Sequence, residues 1–543
     1  MPKAELNQWL TELADIFHKN EDPVLIHYTA FVEMPELALG VVELLDAIDE
    51  HDEEEERPYY SACVFALDIC VAQLQVESER GTKLALKCMD QLMTLLATLI
   101  QKQKHTLSFW LPILNAFYEV HAELSQDLKD AYLELASVED EMSPDEEATN
   151  LSSIRELILE LSDLSVFDIA ENFFAQSYAM PPDFFTDLVF DLYSIEEGKE
   201  IALLTLLHPK QEVRDVVVAV LDQLMDNLTL SPISLTRLQA IKNWFPVSYH
   251  DLFHRWIKLQ RKKGVVFSAE VKSPVIRIKA SEVDGSGAQG VFVHLRTKRQ
   301  HRLCGLLFKL GLGIKDAWIT PVISKKDIEK YYDEAFIDSV MLREVDQLYL
   351  QWMTEHFLAV TIEVGGMPDL HLLEMQEELG LQWRPMKLDI PRLIEEFSVQ
   401  ISPFTEESMQ ESFKRSKAWP KNKSFTESWY MESPEIDKLV NHCCSFIEGV
   451  KVCRFEEATA LVFSEEMELQ RDRWLFHFLW MTLWLKVQAK PRDKTWSDCF
   501  LIAYAIHNGQ ALDTIPLLHE ICFQSVVNSI ETMQERRTHL NRQ

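Results

Sequence analysis

The chain has 543 residues, of which 47% are hydrophobic and 26% charged, with only 15 glycines and 21 prolines. This length is too great for one compact core, and the scarcity of turn residues argues against an all-β protein, so we expect a mainly helical chain of several domains or one elongated solenoid. The net charge of −34 disfavours nucleic acid or anionic membrane as partners of the whole protein and favours basic proteins or cations. The simpler interpretation, which is favoured, is that this charge keeps a large protein soluble.

Residues 1–250 have the apolar spacing of successive amphipathic helices. Apolar side chains recur three and four positions apart, on one face of each helix, in Leu10–Phe17, Leu37–Ile48, Val64–Leu74 and Leu86–Leu99. The short breaks between these segments predict antiparallel helix pairs. Two acidic runs, Asp49–Glu56 and Glu139–Glu147, are predicted to be exposed loops because dense like charges do not pack together.

The strongest repeat signal lies in residues 201–224. A first apolar helix ends at Pro209, and a second begins with the pair Val213 and Arg214 and continues with branched apolar residues. This arrangement resembles a HEAT repeat. The resemblance implies that Arg214 ties down the turn with hydrogen bonds and that Val213 and Val217 pack against neighbouring repeats. Because one helix pair cannot bury its own apolar faces, residues 1–250 are predicted to form a HEAT-like α-solenoid.

The pattern changes near residue 265 from helical spacing to alternation. Alternating residues in Val275–Ala280 and Gly290–Lys298, with a third stretch at Arg302–Lys309, predict an antiparallel sheet of about three strands. Such a small sheet needs a helix or the end of the solenoid to cover its apolar face, so residues 265–387 are assigned to the sheet and covering helices. Residues 388–433 are predicted to be an irregular linker, and 434–543 a C-terminal helical block. The predicted fold is therefore mainly α, with a small antiparallel β insertion.

A basic segment at residues 255–302 departs from the acidic character of the chain, with twelve Lys and Arg against three acidic residues. Alternation predicts that Arg277, Lys279, Arg296 and Lys298 share one solvent-facing side of the sheet, which could contact phosphates. Two interpretations stay open: contact with anions or nucleic acid, and neutralisation of the acidic N-terminal half. The second is favoured because Phe292, the single aromatic residue of the two strands, makes a poor platform for stacking bases.

Motifs for catalysis or cofactor binding are absent from the sequence. The glycines at 285, 287, 311 and 313 lack the spacing and the Lys-Ser or Lys-Thr of a phosphate-binding loop, and no Gly-x-Ser-x-Gly elbow occurs. Two clusters are metal candidates: His442, Cys443 and Cys444 with Cys453, and His371 with Glu374, Glu377 and Glu378. Adjacent cysteines cannot easily bind one ion with tetrahedral geometry. His371 and Glu374 are three residues apart on one helix face, with Glu355 and His356 as the nearest further ligands. We therefore expect no cofactor and no enzyme, and keep a helical metalloenzyme as an alternative.

The remaining signals concern compartment and partners. Nine scattered cysteines without a CxxC pair predict buried thiols in a reducing compartment. The N-terminus lacks the apolar core of a signal peptide, and the longest apolar stretch, Trp474–Leu485, is shorter than the ~20 residues of a membrane span. The three tryptophans of that stretch predict a helix buried in a core.

Together these features predict a cytoplasmic, non-catalytic scaffold that binds a partner protein through an acidic helical-repeat surface, without a membrane partner. The acidic surface favours a basic partner. A nucleic-acid-associated factor that uses residues 255–302 is the first alternative.

Overall fold

The computed structural model describes residues 3–19, 21, 23–49, 53–141, 146–268, 275–297, 300–335, 340–447, 450–490 and 493–542. The chain is 66% helical with a five-stranded antiparallel sheet inserted in its middle, between a helical N-terminal half and a C-terminal helical region. This confirms the predicted fold class. The chain divides into an N-terminal unit, Met1–Val220, and a C-terminal unit, Leu221–Arg542.

The N-terminal unit is helical throughout its described residues. Its helices are α1 (Lys3–His18), α2 (Leu25–Glu33), α3 (Ala38–Leu45), α4 (Glu53–Glu79), α5 (Lys83–Ile100), α6 (Leu107–Glu119), α7 (Gln126–Glu141), α8 (Glu146–Glu160), α9 (Val166–Gln176), α10 (Phe184–Ser194), α11 (Lys199–Leu204) and the first part of α12 (Gln211–Leu224).

The helix α4 forms the centre of the first half of this unit, in contact with α1, α2, α3, α5 and α6. Within the described chain, Arg57–Glu79 of α4 is long and apolar enough to cross a membrane, and the bent pair Leu25–Glu33 and Pro35–Leu45 would be a second such segment only if it formed one span. A core helix passes the same test of length and composition. Since α4 buries Ala62, Cys63 and Leu67 completely, it is at most a weak candidate for a membrane helix.

The two acidic runs are not simply loops. The helix α4 begins at Glu53, α7 continues to Glu141 and α8 begins at Glu146, so the loop prediction is wrong for these residues. Residues 50–52 and 142–145 lie outside the described part of the chain.

The C-terminal unit combines helices with two antiparallel sheets. After α12 its elements are α13 (Pro232–Ile241), α14 (Val247–Lys262), β1 (Val275–Ser281), β2 (Ala288–Thr297), β3 (Gln300–Lys309), β4 (Gly313–Ile319), α15 (Lys325–Ala335), β5 (Leu342–Glu344), α16 (Gln347–Glu363), α17 (His371–Leu379), α18 (Ile390–Ser398), α19 (Glu406–Ser416), α20 (Trp419–Asn422), α21 (Pro434–His442), β6 (Cys444–Ile447), β7 (Val450–Cys453), α22 (Phe455–Val462), α23 (Arg471–Lys486), α24 (Thr495–His507) and α25 (Pro516–Arg542).

The large sheet has the strand order β4-β3-β2-β1-β5 and is antiparallel throughout. The sequence predicted the strands β1, β2 and β3, but the sheet has two more strands than the predicted number. Gly311 lies in the turn from β3 to β4, and Gly313 is the first residue of β4. Both have positive φ, and their turn signal hid the strand that follows. The strand β5 has three residues, too few to show alternation.

Helices cover the large sheet on both faces. On one face, Phe292 and Leu303 form a buried cluster with Ile328 of α15. On the other face, Phe308 stacks on Phe357 of α16 with 4.9 Å between ring centroids, and Phe357 lies 4.7 Å from the ring of Trp480 in α23. The strand β2 is therefore buried on both sides, unlike the half-exposed strands that alternation predicts.

A buried hydrogen-bond network joins this second face to α16 and α23. The amide nitrogen of Gln289 donates to the carbonyl of Ser281 at 2.7 Å, and its amide oxygen accepts from the Tyr349 hydroxyl at 2.7 Å and from the Trp480 indole at 3.1 Å. The Trp484 indole donates to the carbonyl of Ala280 at 3.1 Å. The apolar helix of residues 474–485 is thus a core helix, as predicted.

The small sheet pairs β6 with β7 in a segment predicted to be wholly helical. In this hairpin Cys444 and Cys453 form a disulfide, whereas the other seven cysteines are free and buried. The prediction of buried free thiols is therefore wrong for this pair, which cross-strand pairing brings together.

We expect Gln289→Leu to destabilise the C-terminal unit by about 3 kcal/mol, because it removes three buried hydrogen bonds and leaves the Ser281 carbonyl without its side-chain donor. The midpoint of urea unfolding, followed by tryptophan fluorescence, measures the change. Gln410→Leu, at an exposed position of α19, is the matched control and should shift the midpoint little; equal shifts for both variants would contradict the role of the network.

The buried His356 makes the stability of the C-terminal unit sensitive to acid. His356 is 8% exposed, and its Nδ1 accepts from the Leu388 amide at 3.1 Å. Burial, together with Lys387, lowers the pKa of His356 to about 4. An unfolded histidine has a pKa of about 6.5, so as the pH falls the unfolded chain binds this proton first, and stability is lost between the two values.

We expect this loss to reach about 3 kcal/mol for His356. His356→Asn keeps an acceptor but does not titrate, so the variant should be less stable than the wild type at neutral pH, with a difference that narrows towards pH of about 4. Urea unfolding at three pH values measures this, and a difference independent of pH would contradict the assignment.

Candidate functional site

Acidic charge is concentrated in the N-terminal unit. Residues 1–220 contain 44 Asp and Glu against 13 Lys and Arg, a net charge of −31, whereas residues 221–543 contain 43 against 40, a net charge of −3. A field of one sign over one unit attracts ligands of the opposite charge and increases their rate of association.

Two groups of the N-terminal unit have pKa values that burial and a nearby carboxylate raise. Burial, and then the nearby Glu119, raise the pKa of Asp68 to about 7. Burial and then Glu123 raise the pKa of Tyr178 to about 12. Burial is the larger cause of both shifts, and a neighbouring carboxylate adds to each of them.

The exposed side of α10 brings acidic and aromatic groups together. Phe185, Leu188, Val189 and Leu192 are buried, whereas Phe184 and Phe190 are 38% and 37% exposed. Asp183, Asp187 and Asp191 lie on the same side of the helix as the two exposed phenylalanines. Burial, and to a smaller extent Asp187, raise the pKa of Asp191. We call these five residues, Asp183, Phe184, Asp187, Phe190 and Asp191, the α10 acidic face.

The residues with the HEAT resemblance form a buried turn between α11 and α12. Arg214 is 2% exposed, and its guanidinium donates to the carbonyls of His208 and Pro209, both at 2.7 Å. Val213 and Val217 are fully buried. Pro209, Val213 and Arg214 are thus structural residues and are not available for a ligand.

The strand residues of the basic segment have partners within the C-terminal unit. The register places Arg277 opposite His294 and Lys279 opposite Phe292, on the face that α15 covers. Arg277 forms an ion pair with Glu344 at 2.8 Å, and the Lys279 amine lies 3.9 Å from the Tyr332 ring centroid. Arg296 is exposed, and Lys298 lies outside the described residues. Of the residues predicted to share a solvent-facing side, Arg277 and Lys279 therefore contact neighbouring side chains, and Arg296 is exposed.

Two cationic side chains in the helical part of the basic segment also have partners. Arg255 forms an ion pair with Asp222. The Lys263 amine donates to the carbonyls of Met225, Asp226 and Leu228 at 3.0, 2.7 and 2.6 Å, which stabilises the chain just after α12. Lys258, Arg261 and Lys262 of α14 are exposed, so three cationic side chains of this helix are accessible to solvent.

The metal candidate is an arginine–carboxylate cluster. Arg302 of β3 donates to Glu374 at 2.9 Å, to Glu378 at 3.0 Å and to the carbonyl of Thr320 at 2.8 Å. His371 lies 3.1 Å from the carboxylate of Asp369. Burial lowers the pKa of Arg302, but Glu374 and Glu378 outweigh it and the net shift is upward. The guanidinium of Arg302 contacts one oxygen of the Glu374 carboxylate, and the other oxygen lies 3.9 Å from Nε2 of His371.

The other two candidate ligands also accept hydrogen bonds. Glu355 accepts from the Arg384 amide at 3.3 Å, and His356 from the Leu388 amide. Sequence reasoning missed Arg302 as the partner of Glu374 because the two residues are 72 positions apart and no local pattern connects them.

A cavity of about 570 Å³ lies beside α13 and α17. Its volume is in the range of small-molecule sites. At its wall Arg237, 5% exposed, makes two hydrogen bonds to Glu377 at 2.7 and 3.1 Å. Because this arginine and this carboxylate neutralise each other, the pair itself offers little charge to a ligand. The pairing also spans 140 positions, which the sequence alone does not reveal.

We expect Glu374→Ala to destabilise the C-terminal unit by about 3 kcal/mol, because Arg302 loses a largely buried counter-charge. Zn²⁺ and Mn²⁺ should leave the melting temperature of the chelator-free wild type unchanged. Glu378→Ala, at a more exposed position, should cost less stability. A stoichiometric metal in elemental analysis that disappears in Glu374→Ala would contradict the arginine–carboxylate assignment.

Two family descriptions match parts of this chain: the Y4lR second domain over residues 181–264 and the Y4lR C-terminal helical domain over residues 391–530. The chain is 26% identical over 318 residues to the uncharacterized protein y4lR of Sinorhizobium fredii (strain NBRC 101917 / NGR234). The alignment covers 57% of this chain and 58% of that relative, so the chain spans less than two thirds of its length. No solved structure matches.

Proposed function

We propose that this protein is a non-catalytic, cytoplasmic interaction protein whose N-terminal unit, a HEAT-like α-solenoid, binds a basic segment of a partner protein. The observation that carries the proposal is the segregation of charge, with a net −31 in residues 1–220 and −3 in the rest. Solubility alone does not require the excess to lie in one unit. Binding of a cationic partner by the N-terminal unit would account for the location of the acidic excess in that unit.

The chemistry of the α10 acidic face favours a polypeptide over a small cation. Two half-exposed phenylalanines lie among three aspartates on one side of the helix. A metal ion or polyamine gains nothing from the aromatic rings beyond cation–π contact, whereas a basic peptide with apolar side chains can contact both. The ligand that fits is therefore a basic, amphipathic segment.

The basic segment of this chain supports nucleic-acid binding less well. Arg277 has a carboxylate partner, and Lys279 lies over an aromatic ring. Arg255 and Lys263 are paired within the same unit. Phosphate contacts would require several of these groups to exchange partners.

The test begins with affinity capture of the tagged full-length protein from its native lysate in the presence of nuclease. The captured partner is then purified, and its affinity for the full-length protein is measured by calorimetry at low and high salt. We expect direct binding that weakens as salt rises, because exposed charge pairs are screened. Asp183→Asn, Asp187→Asn and Asp191→Asn together should weaken binding by about tenfold, the equivalent of about 1.4 kcal/mol.

The matched control is Glu395→Gln, Glu406→Gln and Glu407→Gln, which removes three exposed negative charges from the C-terminal unit. This variant should bind like the wild type. Equal affinities of the two triple variants would exclude the α10 acidic face as the binding site. Partners that are lost with nuclease, or binding that is unchanged at high salt, would overturn the proposal.

A further inference from the structure

The nine cysteines fall into two groups. Seven are free and buried, namely Cys63, Cys70, Cys88, Cys304, Cys443, Cys499 and Cys522. Burial raises the pKa of the Cys63 and Cys522 thiols to about 12, which keeps them protonated and unreactive. Cys444 and Cys453 differ, because they are only half-buried and are bonded to each other.

The hairpin itself brings these two cysteines together. Cys444 is the first residue of β6 and Cys453 the last residue of β7, and the ladder pairs them directly. Their α-carbons are 3.9 Å apart. The backbone pairing therefore holds the two sulfur atoms within reach of each other whether or not a bond joins them.

The site also accommodates the reduced form. The Cys444 sulfur lies 3.1 Å from the carbonyl oxygen of Val440, in hydrogen-bonding geometry. A disulfide sulfur has no hydrogen to donate, so this contact becomes a hydrogen bond only when Cys444 is a thiol. Each oxidation state thus has a partner for this sulfur without a change of fold.

The neighbouring Cys443 does not compete for Cys453. It is 2% exposed, and burial, followed by Glu457, raises the pKa of its thiol. Its carbonyl accepts from the Arg454 amide at 3.1 Å, which extends the hairpin pairing by one step and fixes its backbone. A protonated, enclosed thiol is a poor nucleophile.

We propose that Cys444 and Cys453 form a reversible redox site, which is a dithiol under reducing conditions and is oxidised to a disulfide by low-molecular-weight disulfides. In the oxidation, one cysteine thiolate attacks a sulfur of the small disulfide, forms a mixed disulfide and releases the first small thiolate. The second cysteine thiolate then attacks the protein sulfur of the mixed disulfide, closes the Cys444–Cys453 bond and releases the second. The two protons lost by the protein thiols are taken up by the two small thiolates, so two electrons pass to the small disulfide.

Oxidation would fix the junction between two helices. The hairpin connects the end of α21 to the start of α22, and both helices pack against α25. A two-stranded hairpin with four residues in each strand is marginally stable without such a link. The covalent bond therefore stabilises the local structure of this junction in the oxidised form and leaves it freer to open in the reduced form.

The test uses the full-length folded protein, equilibrated in reduced and oxidised glutathione mixtures and then alkylated. Trypsin separates Leu439–Lys451, which carries Cys443 and Cys444, from Val452–Arg454, which carries Cys453. We expect these peptides to be cross-linked in excess oxidised glutathione and alkylated in excess reduced glutathione, with interconversion in both directions. The other cysteines outside these peptides should stay unmodified until the protein is unfolded.

Serine variants identify the sulfur atoms that bond. The cross-link should persist in Cys443→Ser and be lost in Cys444→Ser and Cys453→Ser, with circular dichroism as the check that each variant is folded. Amide hydrogen exchange in residues 439–455 should be slower in the oxidised wild type than in the reduced wild type, with no such difference in Cys444→Ser. Three outcomes would overturn the proposal. The cross-link could be lost in Cys443→Ser but kept in the other two variants, it could resist reduction by thiol, or it could be absent from the wild type in every glutathione mixture.

Discussion

The side-chain amide of Gln289 connects parts of the C-terminal unit that lie far apart in sequence. Gln289 is 1% exposed and contacts a neighbouring strand, α16 and α23 through three hydrogen bonds of 2.7 to 3.1 Å. A buried amide without partners is costly, so only the arrangement that pairs both its nitrogen and its oxygen is stable. This requirement fixes the position of α23 against the sheet more narrowly than apolar packing does.

The same requirement explains what sequence reasoning found and what it missed. The strands β1, β2 and β3 show alternation, and the helix at Trp474–Leu485 is apolar all round, so both were predictable from local pattern. The hydrogen bond from Trp480 to Gln289 spans 191 positions, and that from Tyr349 spans 60. No local pattern carries such pairs, and for the same reason a metal site was considered at Glu374, whose partner Arg302 is 72 positions away.

Short elements with ambiguous signals account for the other differences. The hairpin β6–β7 has four residues in each strand and lies between two helices, so helical neighbours dominate any window that contains it. Gly311 lies in the turn before β4 and Gly313 begins β4, and such glycines indicate a turn without revealing the strand after it. Alternation in β1 and β2 also suggested an open cationic face, because the sequence does not show that α15 covers it.

The two units place their charges differently. In the C-terminal unit, acidic and basic residues are nearly equal in number, and the most buried ones form internal pairs such as Arg302 with Glu374, Arg237 with Glu377 and Arg415 with Asp498. These pairs specify how elements dock, and they leave little charge for a ligand. In the N-terminal unit the acidic residues exceed the basic ones by 31, so internal pairing is impossible for most of them.

The consequence for the N-terminal unit is a compact structure that repels itself. Unpaired like charges destabilise the folded state, and a bound cationic partner would relieve part of that repulsion. Any ligand that binds only the folded form also stabilises it. In the proposed function, binding of a basic partner would therefore be linked to the folding stability of this unit through the same carboxylates, including the pair Asp187 and Asp191, in which Asp187 helps to raise the pKa of Asp191.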